Sequence, residues 1–371
     1  MNFDFSDEQK FLKAEARRFL DARCGVSVVR GVLDNPERGY DETLWRGVAG
    51  QGWLGAAIPE AFGGLGLTKL ELCAIAEEIG RALAPIPFSS TAYFVAEALM
   101  LAGSDEQKAR WLPRIAAGEV IGCFATVERP GTLVETQVRA SVDTGRLGGT
   151  KLPVTDGGIA DLAVVLARHG GGLGLFLVDL SGPGVSRERL ETLDPTRGVA
   201  KLTFEGAAAE PLGDPGEGMA LAQAVMDRAA VLLAFEQVGG ADRALEMAKA
   251  YALSRYAFGR PIGSYQAIKH KLADMYIKNE LARSNAYYGA WALSTDAAEL
   301  PLAAAAARVS ACEAFWFSAK ENVQTHGGMG FTWDVDCHLF YRRAQQLGLV
   351  AGGAKAWKER LVSQLERRNA A

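Results

Sequence analysis

The stretch RYAFGRPIGSYQAIKHKLADM, Arg255 to Met275, is where the reading of the chain turns from general helical texture to specific chemistry. Just upstream, Val238, Ala241, Leu245, Ala248 and Ala252 recur at steps of three and four, the apolar stripe of a helix packed in a bundle. That helix is expected to end at Arg255, turn at Gly259 and Pro261, and give way to another near Ser264. A fixed cation beside an aromatic ring at such a turn suits an anionic, planar ligand. The guanidinium can grip pyrophosphate oxygens while Phe258 stacks on a base. Taken alone, a helix-terminal Arg and Gly is equally a common C-cap. A second stretch, QTHGGMGFTWDVD from Gln324 to Asp336, adds paired glycines, Gly327 and Gly328. They allow a ligand to approach the backbone closely, and their N–H groups can cradle phosphate.

Outward from these stretches, the 371 residues, 49% hydrophobic and 23% charged, are enough to bury a large core and to divide into two or three domains. SDEQKFLKAEARRFLDA opens with Ser6 as a capping residue and repeats apolar positions at helical spacing, and DEQKARWLPRIAAGE reads as a further helix. Near Glu119 the texture changes. VIGCFATV, VRASVD, LAVVLAR, GLFLVDL and AKLTFEG are short β-rich runs separated by turn residues, the spacing of an antiparallel sheet or small barrel. From about Pro211 the chain reads as helical to its end. The expected domains are an all-α unit over 1–118, a β unit over 119–210 and an α bundle over 211–371.

Several functions are disfavoured at this level. The net charge of −4 comes from 40 basic and 44 acidic residues that are interspersed, so no single-sign field would steer the chain onto nucleic acid. The opening MNFDFSDEQKFLKAEARRFL carries acids where a secretory signal would carry bases. The longest uninterrupted apolar runs, AVLLAF and LAVVLA, fall short of the ~20 residues that span a bilayer. The expectation is a cytoplasmic protein with no integral membrane association. Cys24, Cys73, Cys123, Cys312 and Cys337 are scattered, and the four histidines fail to cluster with carboxylates. Neither a disulfide framework nor a metal site is expected.

Together and in this order, R-x-x-FG-x-PI-x-x-x-Q and Q-x-x-GG-x-G, with the turn GWLGAAIPEAFGGLGL and the β middle, resemble the acyl-CoA dehydrogenase family of flavoproteins. The resemblance covers nearly the whole chain. It implies an α+β fold with an N-terminal helical domain, a middle β-barrel domain and a C-terminal four-helix bundle, assembled as a dimer or tetramer. It also implies FAD as cofactor. Arg255, Phe258 and Gln266 match positions at the adenosine and pyrophosphate end of FAD. Gln324, Gly327 and Gly328 match the segment that reaches the cofactor from a neighbouring subunit. Thr126, in CFATVERPGT, and Thr155, in KLPVTDGG, match positions at the flavin ring. Two departures stand out: Pro153 replaces the usual flavin-shielding Trp, and GTLVET lacks the usual Gly-Ser-Asp around Thr132. The implied partners are an acyl-CoA substrate, an electron-transfer flavoprotein, and other copies of the chain or a paralogous dehydrogenase subunit, in lipid or steroid catabolism.

The family reaction removes an α proton from an acyl thioester while the β hydrogen leaves as hydride. It needs a positioned base, because the α C–H is a poor acid. Counting along the resemblance, the usual glutamate falls on Ala351, in QLGLVAGGAK, and the alternative position on Ala229. Both are alanine. The nearby acids are Asp227 and Glu236, nine residues apart and so about 180° around a helix, which allows at most one of them to face a flavin pocket. Glu236 shares a face with Ala229 but lies ~10.5 Å along the axis. Asp227 beside Arg228 also reads as a solvent-exposed charge pair, Glu236 as a partner for a neighbouring helix, and His326 and His338 as packed or surface histidines. Three functions stay open: a dehydrogenase with a relocated base, a companion subunit whose paralogous partner supplies the glutamate, and a non-redox helical scaffold.

Overall fold

The computed structural model describes residues 5–370. Six helices come first: α1 (Asp7–Arg23), α2 (Val26–Leu33), α3 (Glu42–Gly50), α4 (Lys69–Arg81), α5 (Ala96–Ala102) and α6 (Asp105–Ala116). Two of them start in the same way because the same tetrapeptide, S-D-E-Q, opens them, with the Ser as N-cap. Ser6 and Ser104 each accept the N–H of the residue three ahead, Gln9 and Gln107, whose side chains bond back to the cap. Between α4 and α5, seven buried residues, Ser89–Val95, form a π-helix that the sequence reading does not anticipate.

The β region follows as β1 (Gly122–Ala125), β2 (Ser141–Asp143), β3 (Arg146–Thr155), β4 (Leu162–His169), β5 (Gly172–Asp179), β6 (Val185–Leu190), β7 (Val199–Ala208) and β8 (Glu210–Leu212). They make one mixed sheet in the order β6-β7-β3-β2-β4-β5-β8, with β1 parallel to β4. β4 and β5 pair antiparallel from Leu162↔Asp179 to His169↔Gly172 and are buried along most of their length, which explains their unbroken apolar runs.

The rest is helical apart from a short hairpin of β9 (Tyr256–Ala257) and β10 (Arg260–Pro261). It comprises α7 (Gly218–Ser254), α8 (Gln266–Ser294), α9 (Leu300–Thr325), α10 (Cys337–Leu347) and α11 (Ala354–Ala370). α7 begins seven residues later than Pro211, because Glu210–Leu212 still pairs with β5. Among the described residues α7 is also a helix long and apolar enough to cross a membrane by length and composition, which counting uninterrupted apolar runs does not reveal. In fact 67% of its most apolar window is buried inside the protein.

By internal contacts the chain falls into two compact units that do not follow the linear α, β, α succession. One consists of the described residues of Met1–Ser27, Cys73–Ala84 and Ala230–Ala371; the other is Val28–Leu72 with Pro85–Ala229. In the first unit, a methyl added at Gly80 on α4 would stand 1.8 Å from the Glu236 carbonyl on α7, and one at Gly239 would stand 1.8 Å from the Glu77 carbonyl. Two glycines therefore let these helices touch backbone to backbone. At the same crossing Lys13 Nζ lies 2.5 Å from Glu77 Oε2 and Arg283 Nη1 lies 2.5 Å from Glu77 Oε1. Arg283 also pairs with Asp242, which accepts from Asn279 at 3.1 Å. One ionic cluster thus joins α1, α4, α7 and α8. In the second unit, β4 and β5 are the most deeply buried strands, and Cys123 is buried beside them on β1; Cys24, Cys73, Cys312 and Cys337 are buried too and form no disulfide.

Candidate functional site

Arg255, Phe258 and Gln266 lie on and beside the β9–β10 hairpin. Arg260 pairs with Ala257, leaving a two-residue tip, Phe258 at φ +51 and Gly259 at φ +80. Positive φ at both central residues is the signature of the type I′ turn that matches strand twist. Glycine takes that conformation freely, whereas a bulky Phe does so only under strain. Phe258 is nonetheless 97% exposed, an aromatic ring held out from the surface. The hairpin is braced from behind: Tyr265 Oη donates to the Ala257 carbonyl at 2.9 Å, and the Arg260 guanidinium lies 4.1 Å over the Tyr265 ring. Arg255 is exposed and forms no ion pair among the described residues, and its carbonyl is fixed by the Ile262 N–H at 2.8 Å. Gln266 is the exposed first residue of α8, whose N-cap Tyr265 gives no side-chain cap. The first N–H groups of a helix lack intrahelical partners and carry the positive end of its dipole.

Gln324 lies exposed in the last turn of α9, followed by Gly327, at φ +59, and Gly328. A Cβ at either glycine would meet nothing within 4 Å, whereas one at Gly330 would stand 2.3 Å from the Val323 carbonyl. Gly330 is required by packing, while Gly327 and Gly328 face open space. The two segments share a root, because Tyr251 of α7 stacks on His326 with centroids 4.2 Å apart and His326 Nδ1 lies 2.8 Å from the Asn322 carbonyl. His326 is thus a packed residue, and His338 stacks on Trp333. An exposed guanidinium, an exposed ring, a helix start and an open glycine pair are a donor set that fits the pyrophosphate and adenine of FAD.

In the second unit, Thr126 follows β1 and is buried at one wall of a polar cleft of about 270 Å³. Glu128, Arg129, Thr132, Gln137 and Arg139 line it further. Lys151, fully buried on β3, lies 2.9 Å from Glu128 Oε1 and 3.4 Å from the Thr126 carbonyl. Burial works to raise the Glu128 carboxyl, but the Ala140 N–H at 2.8 Å and the Lys151 ammonium hold it below the usual carboxylate range. Burial lowers Lys151, with Glu128 opposing. The Leu152 N–H donates to the Val127 carbonyl at 3.1 Å, so β3 ties down the segment carrying Thr126. Thr155 ends the same strand, half-buried. The next residue, Asp156, at φ +57, is locked by Arg197 at 2.8 Å and by the Ser90 hydroxyl at 2.6 Å from the π-helix. Pro153 is exposed.

No carboxylate stands at either position to which the resemblance assigns the base. Ala351 occupies a left-handed turn, φ +58, between α10 and α11, and Ala229 is buried in α7. Asp227 is 4% exposed and Glu236 is 0% exposed. The solvent-exposed reading of Asp227 and Arg228 is corrected by their burial. Both side chains are largely buried, and Glu97, which Lys69 also meets, lies 3.7 Å from Arg228. Arg308, Lys151 and Asp156 were missed in the sequence. Arg308 carries a signal in hindsight: it is a lone cation in the run AAAAARVSA.

Two family models match the chain, the acyl-CoA dehydrogenase N-terminal domain over residues 6–119 and its C-terminal domain over 216–364. The fold and these matches define a flavoprotein-type dehydrogenase. Acyl-CoA dehydrogenase IpdE2 of Mycobacterium tuberculosis is 35% identical over 365 residues, 97% of this chain and 98% of its own length. A solved variant of the Tcur3481–Tcur3483 steroid ACAD superposes with a TM-score of 0.88 at 33% identity, covering 98% of this chain and 99% of that one. The ChsE4–ChsE5 complex of Mycobacterium tuberculosis gives 0.88 at 29% identity, covering 99% of each chain. The chain belongs to the acyl-CoA dehydrogenase family, a family of FAD-dependent oxidoreductases.

Proposed function

We propose that this chain is the companion subunit of a heteromeric acyl-CoA dehydrogenase and that a paralogous chain supplies the catalytic glutamate. The observation that carries this reading is the lack of a usable base: Ala351 and Ala229 stand at the two usual positions, and Asp227 and Glu236 are sealed at 4% and 0% exposure. A buried carboxylate with no opening to a substrate cannot meet the α proton within hydrogen-bond reach. The similarity to the ChsE4–ChsE5 complex supports a two-chain assembly.

In this reading Arg255 grips the FAD pyrophosphate, Phe258 stacks on adenine, and Gln266 and the start of α8 add donors. Gln324, Gly327 and Gly328 reach the cofactor of the adjoining subunit. Thr126 and Thr155 are the flavin-ring contacts. Bound FAD supplies the hydride acceptor, and an electron-transfer flavoprotein takes the electrons onward. Exposed Leu253, Tyr256, Phe331 and Trp333 surround the hairpin and glycine segments and make the apolar surface of the assembly. The substrate class is an acyl-CoA thioester of lipid or steroid catabolism, in the cytoplasm, and the domains follow 1–118, 119–210 and 211–371.

The rival is a base relocated to Asp227 or Glu236, and isosteric amides separate the two. In the two-chain complex, Asp227→Asn and Glu236→Gln are expected to leave the rate of flavin reduction by acyl-CoA within about twofold of wild type. A loss of about 10²-fold or more in either variant, the contribution of a general base, would place the base in this chain and sink the companion reading.

A further inference from the structure

Arg308 sits in the middle of α9, 0% exposed, with no carboxylate among its partners. Its guanidinium donates to three neutral oxygens: Gln237 Oε1 on α7, the Leu347 carbonyl at the end of α10, and the Val350 carbonyl at 2.8 Å. Its Nε has no hydrogen-bond partner. A buried charge without a counter-ion is costly unless partial charges compensate it. Here the compensation comes from the last carbonyls of α10, which have no partners within their helix and form the negative end of its dipole. Gln237 is itself oriented by donating Nε2 to Cys312 Sγ at 3.4 Å. Just beyond, Ala351 holds its left-handed turn, and its carbonyl accepts from Trp357 Nε1 at 3.2 Å. The segment 347–351 is therefore gripped on one side by a buried cation and on the other by an indole. A loop that only covered the end of a helix would need no such cation.

We infer that Arg308 is a positioning residue that keeps the 347–351 loop in the form that presents residue 351 to a substrate, so that a carboxylate restored at 351 is delivered as a base. This rests on the reading of Ala351 as the usual base position. The loop has lost its acid but kept its frame, and proton abstraction at this site is one side chain away.

The test uses the two-chain complex with the partner's own glutamate changed to glutamine, which silences the background. Ala351→Glu is expected to raise acyl-CoA-driven flavin bleaching by about 10²-fold or more. Adding Arg308→Lys to it is expected to cut kcat about tenfold with KM unchanged, the size of one lost charge-assisted hydrogen bond. A second readout needs no cofactor: in the unloaded chain, Arg308→Met is expected to speed amide exchange at Gly348, Leu349 and Gly352 about tenfold or more while α8 amides keep their wild-type rates. If Arg308→Met does not fold, Arg308→Lys is read in its place for a smaller acceleration. Restored bleaching that ignores Arg308→Lys, or unchanged loop exchange, overturns the positioning role. No bleaching from Ala351→Glu while loop exchange still depends on Arg308 overturns instead the assignment of position 351.

Discussion

Mixing this protein with a paralogous acyl-CoA dehydrogenase chain that retains its glutamate is expected to raise the rate of flavin reduction by acyl-CoA roughly 10²- to 10⁴-fold over this chain alone, the range a positioned general base contributes. The size follows from the chemistry of the α C–H, which gives up its proton only to a base within about 3 Å in a site that also polarises the thioester carbonyl. In the proposed reading, both positions that the resemblance assigns to the base, 229 and 351, carry alanine. Its hairpin and glycine segments are by contrast exposed and open, the state expected of groups that complete a site with another subunit. Stopped-flow loss of the oxidised flavin band checks the prediction. Equal rates with and without the partner would mean that a base resides in this chain.

Arg283→Met is expected to destabilise the first unit by about 3–5 kcal/mol at neutral pH, because it strands two acids at a helix crossing. Arg283 bridges Glu77 and Asp242, and Glu77 is also paired with Lys13 and felt electrostatically by Arg17. The sign of the pH dependence follows from the two carboxyls. Burial works to raise Glu77, but Lys13 and Arg283 outweigh it and hold the group below its ordinary value of 4.5. Glu77 therefore contributes stability that is full above 4.5 and is lost as pH falls through its lowered folded value. Burial raises Asp242 above 3.8 against the pull of Arg283, so its protonation favours the folded state and partly offsets the acid loss. With Arg283 gone the downward pull on Glu77 weakens, so charged Glu77 becomes a liability. Acidification should then cost the variant less than it costs wild type. Urea denaturation at pH 7 and pH 4 measures both effects, and a variant within 1 kcal/mol of wild type at pH 7 would show that the cluster is not a determinant of stability.

The helical ends and the β middle were legible in the sequence for physical reasons. Ser6 caps α1 through local hydrogen bonds that its own neighbours supply, and β4 and β5 announce themselves by unbroken apolar runs. The hairpin was legible only as a turn. Gly259 signals positive φ, but nothing about Phe258 says that it shares that conformation. What depends on distant segments was hidden. Gly80 and Gly239 look like ordinary helix residues until α4 and α7 meet. Asp227 beside Arg228 looks like a surface pair until burial closes over both and Glu97 comes to lie 3.7 Å from the guanidinium. The split of the first helices between two compact units was equally invisible, since it is set by long-range packing. The alanines at 229 and 351 could be read from sequence by counting along the resemblance, while the tether that Arg308 lays on 347–351 required the fold.

The most direct test of the companion role is the absorption spectrum of this chain, purified by itself, loaded with FAD and titrated anaerobically with acyl-CoA thioesters. The account predicts that the protein takes up flavin and that the oxidised band persists on the timescale of turnover, with bleaching only after the glutamate-bearing chain is added. Prompt bleaching with no second chain present would contradict it.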